Sequence, residues 1–232
     1  LRTDWAALGG HFRRPFFLIC ALLFILVVSP LLMWGVVSST GLSAGLVAAL
    51  ILMAAAPPIT ASSALGYLLG LDGGFTLLLL IIGTLAVPLT LPLVALGVAG
   101  VDLSVDEMAM AYRLAGLVCT AALVAVVLRR FIGPQRVMAR AKQIDGAIVA
   151  ILVVFAIGLV DGVTMKFLDQ PLRIILVIGL SFVANIGLQI AAAIMFLPFG
   201  KSRALAIALA AGSCNMALVL AVLPGDADAD IA

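Results

Sequence analysis

The chain of 232 residues is 65% hydrophobic and only 10% charged, with a formal net charge of +2. A soluble domain is about half apolar and about a quarter charged, so this composition excludes an ordinary soluble enzyme or a nucleic-acid-binding module. It indicates an integral membrane protein, and at about 20 residues per membrane-spanning helix the length allows roughly seven spans.

The apolar runs, taken in chain order, predict seven membrane segments: five spans and two further segments that are broken in the middle. The five spans are expected at about residues 15–37 (also broken, near Ser29-Pro30), 75–98, 108–128, 144–163 and 172–197. The broken segments are expected at about 45–69 and 204–223. The longer connections are predicted as an acidic loop at 101–107, a basic loop at 129–142 and a further loop at 164–170.

The first broken segment is centred on residues 54–71, AAAPPITASSALGYLLGL. Pro57 and Pro58 lack backbone donors and clash with the preceding turn, so one helix should end before them and another should begin after them. The second broken segment, ALAAGSCNMALVLAVL at 208–223, is interrupted from Gly212 to Asn215. Two short interrupted hydrophobic segments in corresponding halves of a chain are typical of a transporter binding site.

Hydroxyl side chains gather where the second half of the first broken segment begins, at Thr60, Ser62 and Ser63. Freed amides and the positive end of the helix dipole would favour an anion there. Carbonyls freed by the proline pair would instead favour a cation. The alternative is that these small residues only allow helices to pack closely.

Polar side chains also mark the second broken segment and the span before it. Ser213 and Asn215 lie in the second break, and an asparagine in lipid usually finds a partner or a cavity. Asn185 and Gln189 are four residues apart on the last uninterrupted span, so they share one face. Either that face lines the interior of the bundle, or the two amides clamp neighbouring helices by hydrogen bonds.

The distribution of basic residues predicts the orientation of the chain. With the N-terminus in the cytoplasm and seven crossings, ten of the thirteen Lys and Arg fall in inner loops, as the positive-inside rule requires. The spans that begin at Pro15 and Pro171 are weakly similar and run in opposite directions, which predicts an inverted repeat. No acid–base pair lies within a span, so an enzyme is disfavoured.

Three sequence features together resemble the bile acid:sodium symporter family, within the wider bile/arsenite transporter superfamily. They are PPITASSALGYLLGLD at 57–72, GSCNMALVLAVL at 212–223, and the RRP at 13–15 followed by the SP at 29–30. Members of that family have ten spans in two inverted halves, and the fourth and ninth spans are discontinuous and cross. The resemblance implies an all-α polytopic membrane protein with two crossed discontinuous helices, of which this chain is a fragment covering roughly spans three to nine.

The resemblance also implies a division of the chain and a substrate site. Residues 1–100 would form the end of the first inverted repeat, with a broken helix near 56–60, and residues 101–232 most of the second, with a broken helix near 211–215. Thr60 and Asn215 match positions that face the substrate where the broken helices cross. The polar residues described above add three further substrate-binding candidates: Ser213, Asn185 and Gln189.

Sodium is the coupling ion that the resemblance implies, and no other cofactor or metal is expected. Ser62 and Ser63 match the first sodium site, and Thr76 matches a further hydroxyl ligand on the next span. The second sodium site departs from the family, because its acid and its two glutamines are replaced by Ala210, Cys214 and Ile25. These replacements predict that the second site is absent and that coupling to sodium is weak.

We therefore expect a secondary transporter that moves a small or amphipathic organic anion by alternating access, in a bacterial inner (plasma) membrane. Its partners would be that anion and the lipid bilayer, with no nucleic acid. Two alternatives remain open. Cys214 in the second break favours an arsenite-type exporter, and the missing acid favours a transport-inactive receptor or scaffold.

Overall fold

The computed structural model describes residues 15–97, 107–159 and 163–221. Within these ranges the chain is helical and contains no β-strand, and four of its helices are long and apolar enough to cross a membrane. The predicted all-α polytopic membrane fold is confirmed. The number of crossings stays a prediction, because the expected span at 144–163 is not among these four and the two broken segments are too short to count as spans by length.

Eleven helices are named here in chain order within the described residues. They are α1 Pro15–Val37, α2 Ala44–Ala55, α3 Thr60–Leu68, α4 Gly73–Gly97, α5 Glu107–Ile132, α6 Pro134–Ala139, α7 Ala141–Leu159, α8 Val163–Asp169, α9 Pro171–Phe196, α10 Lys201–Ala211 and α11 Met216–Leu220. Helix α1 contains one π-helical turn, Phe24–Val28, and a short 3₁₀ turn, Leu197–Phe199, follows α9.

The described residues form two compact units. The larger holds 15–97, 107–118 and 181–221, and the smaller holds 119–159 and 163–180. This division follows packing, whereas the predicted repeats at 1–100 and 101–232 follow the path of the chain. The inverted repeat therefore stays a prediction, and the larger unit, which contains both broken segments, is the part that bears on function.

Helix α2 lies at the centre of the larger unit. Every residue from Leu50 to Pro58 is buried, so the end of α2 and the proline pair are surrounded by protein on all sides. A helix that is hydrophobic on all sides is typical of a protein interior. The helices that contact α2 include α1, α4 and α11. The chain therefore breaks in the most enclosed part of this unit.

Helices α3 and α4 form a close hairpin because glycines allow their backbones to approach. A Cβ atom on Gly66 would lie 3.1 Å from the Gly73 Cα and 3.2 Å from the Thr76 Oγ1. The Tyr67 ring covers Gly73, where a Cβ would lie only 2.6 Å from the ring. The turn between them passes through Gly70, whose φ of +67° is one that glycine adopts without strain.

An aromatic cluster joins the ends of four elements of the larger unit. The Phe17 ring of α1 stacks on Phe75 of α4 with ring centroids 5.2 Å apart, and it meets Phe196 of α9 edge to face at 6.0 Å. The Arg203 guanidinium of α10 lies 5.7 Å from the centroid of the same ring. Such contacts add about 0.5–1.5 kcal/mol each beyond the area they bury, so the cluster fixes where α10 begins.

Three sequence predictions about connections and breaks need correction. Most of the predicted basic loop at 129–142 is helical, because α5 continues to Ile132 and α6 follows directly after a turn at Gly133. Its Arg, Gln, Ala and Met residues are good helix formers outside a membrane as well. The predicted loop at 164–170 is mainly α8. Helix α1 passes Ser29-Pro30 without a break, because a π turn absorbs the proline.

The acidic loop predicted at 101–107 lies almost entirely outside the described residues, and so does the acidic segment DADAD at 226–230. The remaining predicted boundaries agree with the structure to within about three residues at the described ends. Helix bounds read from a sequence normally vary by that much, because helix ends fray.

The close approach of α3 and α4 generates a stability prediction. Substituting Gly66→Leu should lower the melting temperature, since overpacking of this kind costs about 1–3 kcal/mol. Gly35→Leu on α1 is the matched control, because nothing lies within 4 Å of a Cβ added there. Thermal unfolding of the purified protein in detergent measures both variants. Equal melting temperatures for the two would contradict the packing described here.

Candidate functional site

The first break is a short extended segment between α2 and α3. Ala56 has a ψ of 143° and Ile59 a ψ of 160°, as expected for residues next to prolines and before a helix start. The proline pair packs against Gly83 of α4, where a Cβ would lie 3.5 Å from Pro58 Cδ. Helix α3 then begins at Thr60, and no side chain caps its first turn.

The second break separates α10 from α11. The α10 helix ends at Ala211, and its last carbonyls accept from the amides of Gly212 and Ser213. Asn215, with a ψ of 75°, precedes α11 and makes no side-chain cap to it. The second break lies close to α9, and Gly212 makes this possible. A Cβ atom on Gly212 would clash with the Gln189 side chain of α9.

The two breaks cross and pair with each other through their backbones. The Ile59 amide donates to the Ser213 carbonyl at 2.8 Å, and the Asn215 amide donates to the Pro57 carbonyl at 2.8 Å. The two extended segments form an isolated antiparallel bridge at Pro58 and Cys214. The predicted crossing of two discontinuous helices is therefore confirmed, and each break supplies partners for groups that the other frees.

Four of the five predicted substrate residues gather at this crossing, and the fifth lies at the start of α3 beside it. Ser213 and Asn215 belong to the second break, while Asn185 contacts it and Gln189 covers Gly212. Thr60 follows the first break directly and is exposed. The face shared by Asn185 and Gln189 is thus turned toward the crossing.

Asn185 and Ser213 are engaged within the protein. The Asn185 Nδ2 donates to the Ser181 carbonyl at 3.1 Å and contacts the Met53 Sδ at 3.4 Å, and its Oδ1 lies 3.8 Å from the Cys214 Sγ. The Ser213 hydroxyl donates to the Leu209 carbonyl at 2.6 Å. Asn185 therefore connects α9 to the last turn of α2 and to the second break, as in the clamp that the sequence left as an alternative, whereas Gln189 makes no such bond in the described residues.

The remaining substrate candidates differ from Asn185 and Ser213 in their hydrogen bonding; they are Thr60, Gln189 and Asn215. Within the described residues, none of the three side chains makes a hydrogen bond, and all three are at least partly exposed. An amide that supports the fold would be bonded, as Asn185 is, because leaving a buried amide unbonded is costly. These three side chains are the polar groups at the crossing that are free to bind a ligand.

The predicted ion-binding hydroxyls lie on the α3–α4 hairpin. Ser62 and Thr76 are fully buried, and Ser63 is partly exposed. Each hydroxyl donates its hydrogen to a carbonyl three residues earlier, Ser62 to Ile59 at 2.7 Å and Thr76 to Gly73 at 2.9 Å. A hydroxyl that has donated its only hydrogen presents lone pairs, which suit a cation and not an anion.

The positions that depart from the family pattern are apolar in the structure as well. Ala210 and Ile25 are buried in the hydrophobic core. The Cys214 thiol lies at the crossing, 3.6 Å from the Ala211 carbonyl and close to the Asn185 amide oxygen. No side-chain oxygen comes from these three positions.

Sequence reasoning missed two residues of the site. Met53 looks like one more apolar residue of α2, yet its sulfur contacts the Asn185 amide. Gly83 lies in an apolar span, and only the structure shows that it packs beside the proline pair. For Gly83 the sequence offers one signal, a glycine within a predicted span. For Met53 it offers none.

Comparison with known proteins identifies a family. A model of the sodium bile acid symporter family matches residues 1–128, which include the first break and the α3–α4 hairpin. No curated protein matches the chain. The matched part covers more than half of the sequence, and members of this family are membrane transporters and not enzymes. The chain therefore belongs to the sodium bile acid symporter family.

Proposed function

We propose that the protein is a secondary transporter that moves a small or amphipathic organic anion by alternating access. The observation that carries the proposal is the crossing of the two breaks, with three unbonded polar side chains around it. Discontinuous helices that meet in this way are how transporter folds bring backbone and side-chain groups to a substrate inside the membrane.

The chemistry around the crossing supports an anionic substrate. The Gln189 and Asn215 amides and the Thr60 hydroxyl can each donate a hydrogen bond, and they carry no charge that would repel an anion. The first turn of α3 begins at Thr60 and has no side-chain cap, so the positive end of its helix dipole adds to the attraction. An organic anion that bridges these donors would contact both breaks at once.

The α3–α4 hairpin supports a single weak cation site. Ser62 and Thr76 offer lone pairs in a buried setting, while the one carboxylate of the hairpin, that of Asp72, accepts from the Phe75 amide in the turn. An ion drives a carrier only through its different affinity for the two states. A neutral site binds a monovalent cation less strongly, so it contributes less driving force than a charged one.

The excess of Lys and Arg in the predicted inner loops supports insertion in a bacterial inner (plasma) membrane with that side in the cytoplasm. The arsenite alternative gains no support from the structure. The Cys214 thiol faces the Ala211 carbonyl and the Asn185 amide, which engage it within the protein.

The substrate site is tested first by removing the free donors. Thr60→Val and Asn215→Leu should each weaken ligand binding about five-fold, since each loses a polar contact of about 1 kcal/mol. Thr90→Val, whose hydroxyl faces the Ala86 carbonyl within α4, is the matched control. Binding of a panel of organic anions to the purified full-length protein provides the measurement. If both variants bind as the unsubstituted protein does, the site lies elsewhere.

Gly212→Ala tests whether the Gln189 amide contacts the substrate. The added methyl group would displace that side chain, so substrate affinity should fall by about as much as in Gln189→Leu. Gly187→Ala, on the same helix as Gln189, is the control, because nothing lies within 4 Å of a Cβ added there. Uptake into vesicles and the melting temperature are measured together. A loss of stability without a change in affinity would make Gly212 purely structural.

Coupling to sodium is tested by uptake into vesicles with and without an inward sodium gradient. We expect at most one sodium ion per cycle and a flux that responds little to the gradient, because Ala210, Cys214 and Ile25 supply no side-chain oxygen. Ser62→Ala should remove the remaining sodium response. A steep dependence with a Hill coefficient near two would show that a second site has been rebuilt from other oxygens.

A further inference from the structure

Helix α1 contains one expanded turn that frees two carbonyl groups. The Ser29 amide donates to the Phe24 carbonyl, five residues back, and Pro30 has no amide hydrogen. In a regular α-helix the amides at positions 29 and 30 would donate to the carbonyls of Ile25 and Leu26. Both carbonyls therefore lose the donors that the helix would otherwise give them.

The Ser29 hydroxyl beside this turn has no hydrogen-bond partner. Its residue is 1% exposed, and in the described part of the chain its oxygen is the one fully buried side-chain polar atom without a partner. Other helical hydroxyls of this protein, such as those of Ser62 and Ser213, donate to a carbonyl three or four residues earlier. The corresponding carbonyls for Ser29 are the two freed ones, but the expanded turn moves them out of its direct reach.

Apolar protein surrounds these three oxygens. Phe24, Ile25 and Leu26 are all buried, and the π turn packs against α2 and α4. Neither lipid nor bulk water therefore reaches the groups. A buried polar group without a partner costs about 1–3 kcal/mol, so an unpartnered hydroxyl beside two carbonyls that have lost their helix donors favours a bound molecule that contacts all three.

We propose that this turn is a binding site for a single water molecule, held by the Ile25 carbonyl, the Leu26 carbonyl and the Ser29 hydroxyl. Water can donate to both carbonyls and accept from the hydroxyl, and about three hydrogen bonds are typical of a buried water. A bare cation fits poorly, because no charged group lies among the residues of the turn and an unpaired buried charge is very costly.

The bound water explains how α1 passes Pro30 without breaking. Ordered waters and local π turns are two ways in which a membrane helix satisfies the groups that a proline frees. In α1 the π turn and the proposed water lie at the same turn of the helix. This inference does not depend on the substrate or on the sodium coupling proposed above.

The sign of a stability change distinguishes a bound water from an unsatisfied hydroxyl. If the water is present, Ser29→Ala removes one of its bonds and should lower the melting temperature by about 2–4 °C. If the hydroxyl has no partner, removing it should raise the melting temperature. Ser39→Ala is the control, because that hydroxyl is exposed and bonded to the Val36 carbonyl.

An experimental structure of the full-length protein at high resolution supplies the second measurement. We expect one density peak about 2.7–3.0 Å from all three oxygens. A melting temperature that is unchanged or higher in Ser29→Ala would overturn the proposal. So would a Ser29 hydroxyl bonded directly to a helix carbonyl, or a peak with shorter distances and more than three ligands, which would identify an ion.

Discussion

The crossing of the two breaks depends on a constraint that the membrane imposes on every backbone. In a setting without water, each amide and carbonyl needs an internal partner, and a helix interrupted by two prolines leaves several without one. Here the breaks satisfy each other, since Ile59 bonds to Ser213 and Asn215 bonds to Pro57. Two interruptions that would each be costly alone become a single structural unit when they meet.

This mutual pairing determines which side chains around the crossing are free. Asn185 and Ser213 donate to carbonyls of α9 and α10, and Asn185 also contacts Cys214 of the second break. Thr60, Gln189 and Asn215 make no such bonds in the described residues. Polar side chains at the crossing therefore differ in whether they are bonded within the protein, and the unbonded ones are those that we propose to bind the substrate.

Glycines complete the arrangement at two places where a side chain would keep elements apart. Gly212 leaves room for the Gln189 side chain and Gly66 for the start of α4. Each permits a contact between segments that are distant in the sequence or joined by a tight turn. The expanded turn of α1 shows the converse case, in which a proline is accommodated by widening the helix and not by breaking it.

The sequence by itself determined the membrane class, the two breaks and most helix bounds, because these follow from local composition and from the backbone chemistry of proline. It also identified the polar residues at both breaks. It did not predict the π turn at Ser29, the helical character of 129–142 or the contact of Met53 with Asn185. Only the tertiary structure decided which amides are bonded, because a hydrogen bond between Asn185 and a distant residue depends on how the helices pack and leaves no pattern in the local sequence.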